Sequence, residues 1–168
     1  MEPKRWQSLR QFGELVALVG VIGSLVFVGL ELRQNTVATR AATNAAYADG
    51  VREFNLALAT SPELARALAT WPDDPADASL ADQHMVAAMW RALFHMWAST
   101  HRQYVDGTLD PALFRALQQE ISTYAVGATD NPDILRRAQQ MRWAWSIDRF
   151  MFDVQFQEFV DGALSDRK

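Results

Sequence analysis

The feature that most constrains this chain is the stretch Leu15–Leu30, which contains no charged residue. An α-helix over the wider stretch 12–32 rises about 31 Å, close to the roughly 30 Å hydrocarbon core of a bilayer. Glu14 and Glu31 lie near its two ends. We therefore predict a transmembrane helix over 12–32, preceded by a short basic lead over 1–11. One alternative is a buried helix of a soluble protein. A cleaved signal peptide is less favoured, because Glu31 and Arg33 separate the apolar stretch from the small residues at 36–38.

The basic residues that flank this stretch leave its orientation open. Lys4, Arg5 and Arg10 precede it, and Arg33 and Arg40 follow it. Orientation follows the side with the clear excess of Lys and Arg. Three residues against two do not decide which side of the membrane holds the rest of the chain.

Small residues recur along one stripe of the predicted helix and beyond it. The stripe consists of Gly13, Ala17, Gly20, Ser24, Glu31, Ala38, Ala42 and Ala45. Pairs of small residues four apart let helix backbones approach closely in lipid. A mean spacing near 3.5 residues is typical of packed helix pairs and of larger helical oligomers. The stripe predicts self-association through the amino-terminal helix.

The rest of the chain is predicted to be helical, because no segment alternates with the period of a β-strand. Helix starts are indicated by Ser61-Pro62, Asp110-Pro111 and Asn131-Pro132, where a capping residue precedes proline, and by Ser79 and Asp153. The helices are expected at 33–59, 62–70, 80–106, 111–126, 132–151 and 154–164, with a polar tail at 165–168. The predicted fold is all-α: a transmembrane helix continues into a long helix, and an antiparallel helical bundle follows, the domain spanning 33–164.

No residue set indicates catalysis, a cofactor or a metal. The chain has no cysteine, and no phosphate-binding or nucleophile motif occurs in it. His84, His95 and His101 share one predicted helix, but none of their spacings suits a common metal ion. We expect no catalytic, cofactor-binding or metal site, and a protein that is not an enzyme.

Charge argues against one class of partner. The net charge is -4 and the isoelectric point about 5.3, whereas nucleic-acid-binding domains usually carry a basic face. A basic run around the fifth predicted helix consists of Arg136, Arg137, Arg142 and Arg149. It is interpreted as a solvated face paired with nearby carboxylates, with a surface for anionic lipid headgroups as the alternative.

The end of the apolar stretch is the most distinctive part of the sequence. It reads GSLVFVGLELRQNT over 23–36 and continues with Ala38 and Arg40. This run resembles a widespread group of bacterial membrane proteins of unknown function, in which one apolar helix ends in a similar RQNTxAxR run and a helical domain follows. The segments 53–65, 145–152 and 156–161 also resemble that group.

The resemblance implies an architecture and a location but no activity. It implies a bacterial inner-membrane protein with one span and, because members carry few amino-terminal charges, a helical domain in the cytoplasm. Lys4 and Arg5 depart from that pattern and weaken the inference about orientation.

Three functions are therefore expected in order of preference. The first is a non-enzymatic single-pass membrane protein that contacts membrane lipid, forms a homo-oligomer through its first helix and presents its helical domain to an unidentified protein partner. The second is an oligomeric pore with Glu31 near one mouth. The third is a helical bundle that binds an apolar ligand between its aromatic-rich helices.

Overall fold

The structure, a computed structural model, describes the backbone of residues 3–126 and 131–165 and the side chains of 13–125 and 131–165. Within these ranges lie six α-helices: α1 (Pro3–Thr60), α2 (Pro62–Ala69), α3 (Leu80–Val105), α4 (Pro111–Val126), α5 (Pro132–Asp148) and α6 (Val154–Ser165). The described residues contain no β-strand. The predicted all-α fold class is confirmed. Residues 127–130, which the sequence predicts as a turn between two helices, and nearly all of the predicted tail lie outside the described residues.

The chain forms two compact units, Met1–Ala41 and Ala42–Lys168. The boundary lies inside α1, whose backbone stays helical through the polar residues 34–36. Residues 33–41, which the sequence pattern groups with the helical domain, belong to the first unit. The second unit contains the end of α1 and all of α2–α6, and it holds the hydrophobic core.

Side-chain caps fix where the helices of the second unit begin. A side-chain oxygen of the cap residue accepts a hydrogen bond from a backbone N–H two or three residues later. The caps are Ser61, Ser79, Asp110, Asn131 and Asp153, at distances from 2.7 to 3.3 Å. These are the five starts that the sequence predicts, and each such cap stabilises a helix by about 1 kcal/mol.

α3 ends at a glycine with a left-handed backbone. Gly107 has a φ angle of +72°, which only glycine adopts without steric cost. Its N–H donates to the carbonyl oxygen of Tyr104 at 3.0 Å, and the N–H of Thr108 donates to that of Gln103 at 2.9 Å. The last carbonyls of α3 are thereby satisfied, and the chain turns toward α4.

The core of the second unit is built around the aromatic face of α3. Trp90, Phe94 and Trp97 are almost fully buried, as their spacing of four and three residues predicts. The ring of Phe94 lies 5.1 Å from that of Trp145 on α5, and Trp145 lies 5.8 Å from Phe156 on α6. Edge-to-face ring pairs of this kind join α3, α5 and α6.

The chain bends between α5 and α6. A 3₁₀ turn over Arg149–Met151 follows α5, and Phe152 is buried against the core. The N–H of Phe156 donates to the Asp153 carboxylate at 3.0 Å, so Asp153 starts α6. The structure therefore has two helices here, as the sequence predicts with 132–151 and 154–164, and not one continuous helix from 132 to 164.

One buried ion pair ties the end of α5 to α3. The carboxylate of Asp148 is 2% exposed and receives two hydrogen bonds from Arg91, Nε at 3.0 Å and Nη2 at 2.8 Å. A buried carboxylate is tolerated only when it is paired in this way. The guanidinium of Arg91 is therefore the group that allows Asp148 to lie in the core.

Candidate functional site

The first unit is a helix with apolar side chains around its whole circumference. Every described side chain from 13 to 41 is exposed. Leu15, Leu25 and Phe27 are 58%, 66% and 66% exposed. Within the described residues, α1 is the one helix that is long and apolar enough to cross a membrane. A soluble helix normally keeps a polar face, so this segment is suited to an apolar solvent.

The predicted self-association stripe follows one face of α1 and is exposed at every position. Its members Gly13, Ala17, Gly20, Ser24, Glu31, Ala38, Ala42 and Ala45 all have exposed side chains or Cα atoms. A Cβ atom added at Gly13 or Gly20 would meet no atom within 4 Å. The hydroxyl of Ser24 donates to the carbonyl oxygen of Val21 at 2.8 Å, which satisfies it within the helix. Self-association through this face stays a prediction.

The second unit contains a cavity of about 410 Å³, here called the central cavity. It is lined by residues of α1, α2, α3, α4 and α5. Its apolar walls include Phe54, Leu58, Leu68, Leu93 and Tyr124. Volumes of about 300–1,000 Å³ are typical of small-molecule sites. The cavity is therefore large enough to hold an organic ligand.

Two buried polar groups on the cavity lining lack hydrogen-bond partners. Gln140 is fully buried; its Nε2 donates to the carbonyl oxygen of Leu68 at 3.0 Å, while its Oε1 has no partner among the described residues. Trp90 is 2% exposed, and within the same residues its indole Nε1 has no partner either. An unsatisfied buried donor or acceptor costs about 1–3 kcal/mol. Both atoms are enclosed by protein and are not exposed to the cavity.

Three charged side chains also line the central cavity. Arg136 pairs with Asp133 at 2.9 Å. Arg137 is exposed and has no carboxylate partner within the described part of the chain. Two guanidinium groups and one carboxylate leave a net charge of one positive unit on the lining.

A second polar cluster lies between α1, α3 and α4. The hydroxyl of Tyr47 donates to Oε2 of Glu120 at 3.1 Å. Burial raises the pKa of Glu120, although the hydrogen bond from Tyr47 and the indole of Trp97 oppose the rise. The Trp97 N–H does not reach hydrogen-bond geometry with any described acceptor. Burial, and then the Glu120 charge, raises the pKa of Tyr47 as well.

The histidines of α3 pack against aromatic rings. The His95 ring lies 5.0 Å from that of Phe152, and the His101 ring lies 4.8 Å from that of Phe159. Burial lowers the pKa of His101, although the charge of Asp153 opposes this. The described residues include no group of three or more His, Asp or Glu side chains placed to hold a metal ion.

Comparisons with family models, with curated proteins and with solved structures gave no match. The resemblance carried by residues 23–40 therefore stays a prediction.

The sequence pattern missed the polar side of the central cavity. It assigned the arginines around α5 to a solvated face with nearby carboxylates, and Arg136 and Arg149 do pair with Asp133 and Asp161. Arg142 instead donates to the carbonyl oxygen of Ala125. Arg137 lines the cavity with Gln140. The sequence signal for this side of the cavity is Gln140, which lies beside the apolar face of a predicted helix. A glutamine in that position can be either buried or at the surface, so the signal does not decide.

Replacing Glu120 by glutamine is expected to stabilise the second unit at pH 7. Because the folded protein raises the pKa of Glu120, ionisation at neutral pH opposes folding. As the pH falls, the folded state gains the proton before the unfolded state does, so this cost disappears. The stability difference between Glu120→Gln and the unmodified protein should narrow with falling pH and vanish below about pH 4, near the ordinary glutamate pKa. Urea unfolding at several pH values, followed by tryptophan fluorescence, measures it.

Glu158→Gln, at an exposed glutamate of α6, is the matched control and should leave stability unchanged. Three aspartates have lowered pKa values: Asp82, Asp153 and Asp161. The stability that they contribute is lost as the pH falls. Because this loss is the same in all three proteins, it cancels in the stability difference between a variant and the unmodified protein. A Glu120→Gln protein that is less stable at pH 7, or whose difference is constant with pH, would contradict this account.

Proposed function

We propose that this chain is a non-enzymatic, single-pass membrane protein: residues 12–32 cross the bilayer, and the helical second unit is the domain that a partner recognises. The observation that carries the proposal is that every apolar side chain of 13–32 is exposed. Burying one such side chain contributes about 1.5–3 kcal/mol. A helix with this many exposed apolar side chains is far more stable in lipid than in water.

The ends of the segment also suit a bilayer. Glu14 and Glu31 bracket a stretch without charges, so no carboxylate has to lie at the bilayer centre, where charged side chains are most costly. All backbone N–H and C=O groups between them are paired within a continuous helix, as lipid requires. The resemblance of residues 23–40 supports a bacterial inner membrane with the helical domain in the cytoplasm.

The proposal includes self-association through the small-residue stripe. Gly20 and Ser24 are four residues apart and expose helix backbone on one face. In lipid, close backbone packing rather than apolar burial drives helix association. The stripe is the face of α1 on which two helices can approach most closely.

Two glycine substitutions test self-association. Gly20 lies on the stripe and Gly29 on the opposite face, and an added Cβ meets no atom within 4 Å at either position. Neither Gly20→Leu nor Gly29→Leu should therefore disturb a single chain. Mass photometry in mild detergent is expected to show an oligomer for the unmodified protein and Gly29→Leu, and mostly monomer for Gly20→Leu. A monomeric unmodified protein, or equal behaviour of the two variants, would refute self-association through the stripe.

A further inference from the structure

We propose that the central cavity binds a free aliphatic monocarboxylate. The inference concerns the second unit alone, and it does not depend on self-association or on the orientation of the membrane helix. It rests on two properties of the lining: its shape and apolarity, and its charge.

The walls suit a hydrocarbon chain. Phe54 and Leu58 of α1, Leu68 of α2 and Leu93 of α3 contribute apolar side chains around a volume of about 410 Å³. Ligand sites of this size are mostly apolar, with a few polar groups that set orientation. A medium-length alkyl chain matches that description, whereas a sugar or nucleotide would leave its hydroxyl groups unpaired against these walls.

The charged residues of the cavity lining favour a ligand with a carboxylate head group. The guanidinium of Arg136 forms an ion pair with Asp133 at 2.9 Å. Arg137 has no carboxylate partner among the described residues. The lining therefore has a net charge of one positive unit, which complements the single negative charge of a carboxylate head group. Planar guanidinium groups bind carboxylates through paired hydrogen bonds. A cationic head would instead face two guanidinium groups.

The test is isothermal titration calorimetry on the full-length protein in phosphatidylcholine nanodiscs, with empty nanodiscs subtracted. The probes are octanoate, octanol and octylammonium, which share one chain and differ in the head. Octanoate is expected to bind with one-to-one stoichiometry and about tenfold more tightly than either other probe, the difference typical of one lost charge-assisted hydrogen bond. Equal affinities, or no saturable binding of octanoate, would overturn the proposal.

Two pairs of variants locate the binding. Arg137→Gln should weaken octanoate binding about tenfold and leave octanol unchanged, whereas Arg115→Gln, at an exposed arginine outside the lining, should change neither. Ala69→Phe fills the cavity from its lining and should abolish binding of octanoate and octanol; Ala57→Phe, at an exposed alanine of α1 outside the lining, should not. Binding that is insensitive to Arg137→Gln and Ala69→Phe would overturn the proposal.

Two further outcomes assign the cavity to other occupants. Competition of octanoate by phosphatidylglycerol added to the nanodiscs would identify a lipid headgroup as the occupant. A change of oligomeric state in Ala69→Phe alone would identify a second copy of the chain. Either result would overturn the assignment to a free carboxylate.

Discussion

Replacing Arg91 by methionine is expected to lower the free energy of unfolding of the helical unit by about 3 kcal/mol. Removing one partner of a buried ion pair costs about 3–5 kcal/mol, because the other charge stays buried without compensation. The Asp148 side chain is 2% exposed, while that of Arg91 is 42% exposed. Water therefore reaches part of the site, and we expect the lower end of that range. Urea unfolding followed by tryptophan fluorescence measures the change.

Arg102→Met is the matched control for this effect. Arg102 pairs with Asp153 at 3.2 Å, and the two side chains are 69% and 44% exposed. Exposed pairs contribute about 0–1 kcal/mol. In addition, Arg91→Met combined with Asp148→Leu should recover most of the lost stability, because no charge then remains buried. Equal losses for Arg91→Met and Arg102→Met would contradict the structural role of Asp148.

Two arginines placed in the apolar stretch are expected to abolish membrane insertion. Val21 and Leu25 lie near the middle of 12–32. Each arginine at the centre of a transmembrane helix costs about 2.5–3.5 kcal/mol, so the combination of Val21→Arg and Leu25→Arg costs roughly 5–7 kcal/mol if the two add. The fraction of protein that resists alkaline extraction of membranes should fall from nearly all to a small minority.

The combination of Val37→Arg and Ala41→Arg controls for charge and spacing. These residues are also exposed and four apart on α1, but they lie beyond the predicted span. Their replacement should leave the extraction-resistant fraction unchanged. If both pairs of substitutions had the same effect, the predicted bounds of the span would be wrong.

Local signals account for the parts of the fold that the sequence predicts well. Ser61, Ser79 and Asn131 start helices because each side chain reaches a backbone N–H only two or three residues away. The core face of α3 follows from the spacing of Trp90, Phe94 and Trp97. Neither inference requires knowledge of which helices meet.

The cavity and the buried polar pairs could not be predicted in this way. Tyr47 and Glu120 are 73 residues apart, Gln140 and Leu68 are 72 apart, and Arg91 and Asp148 are 57 apart. A polar residue on a predicted helix has many such possible partners, and no periodicity selects one. Only the packing of the helices decides which of them is buried and which of them lines the cavity.

The most direct test of the membrane assignment uses the absence of cysteine from the chain. Single cysteines at Leu25 and Val37 report on positions that are 66% and 63% exposed and that both lie away from the small-residue stripe. Opened membranes treated with a membrane-impermeant maleimide should show Val37→Cys labelled and Leu25→Cys protected, with both labelled after denaturation in detergent. Equal labelling of the two cysteines in intact bilayers would contradict a transmembrane helix over 12–32.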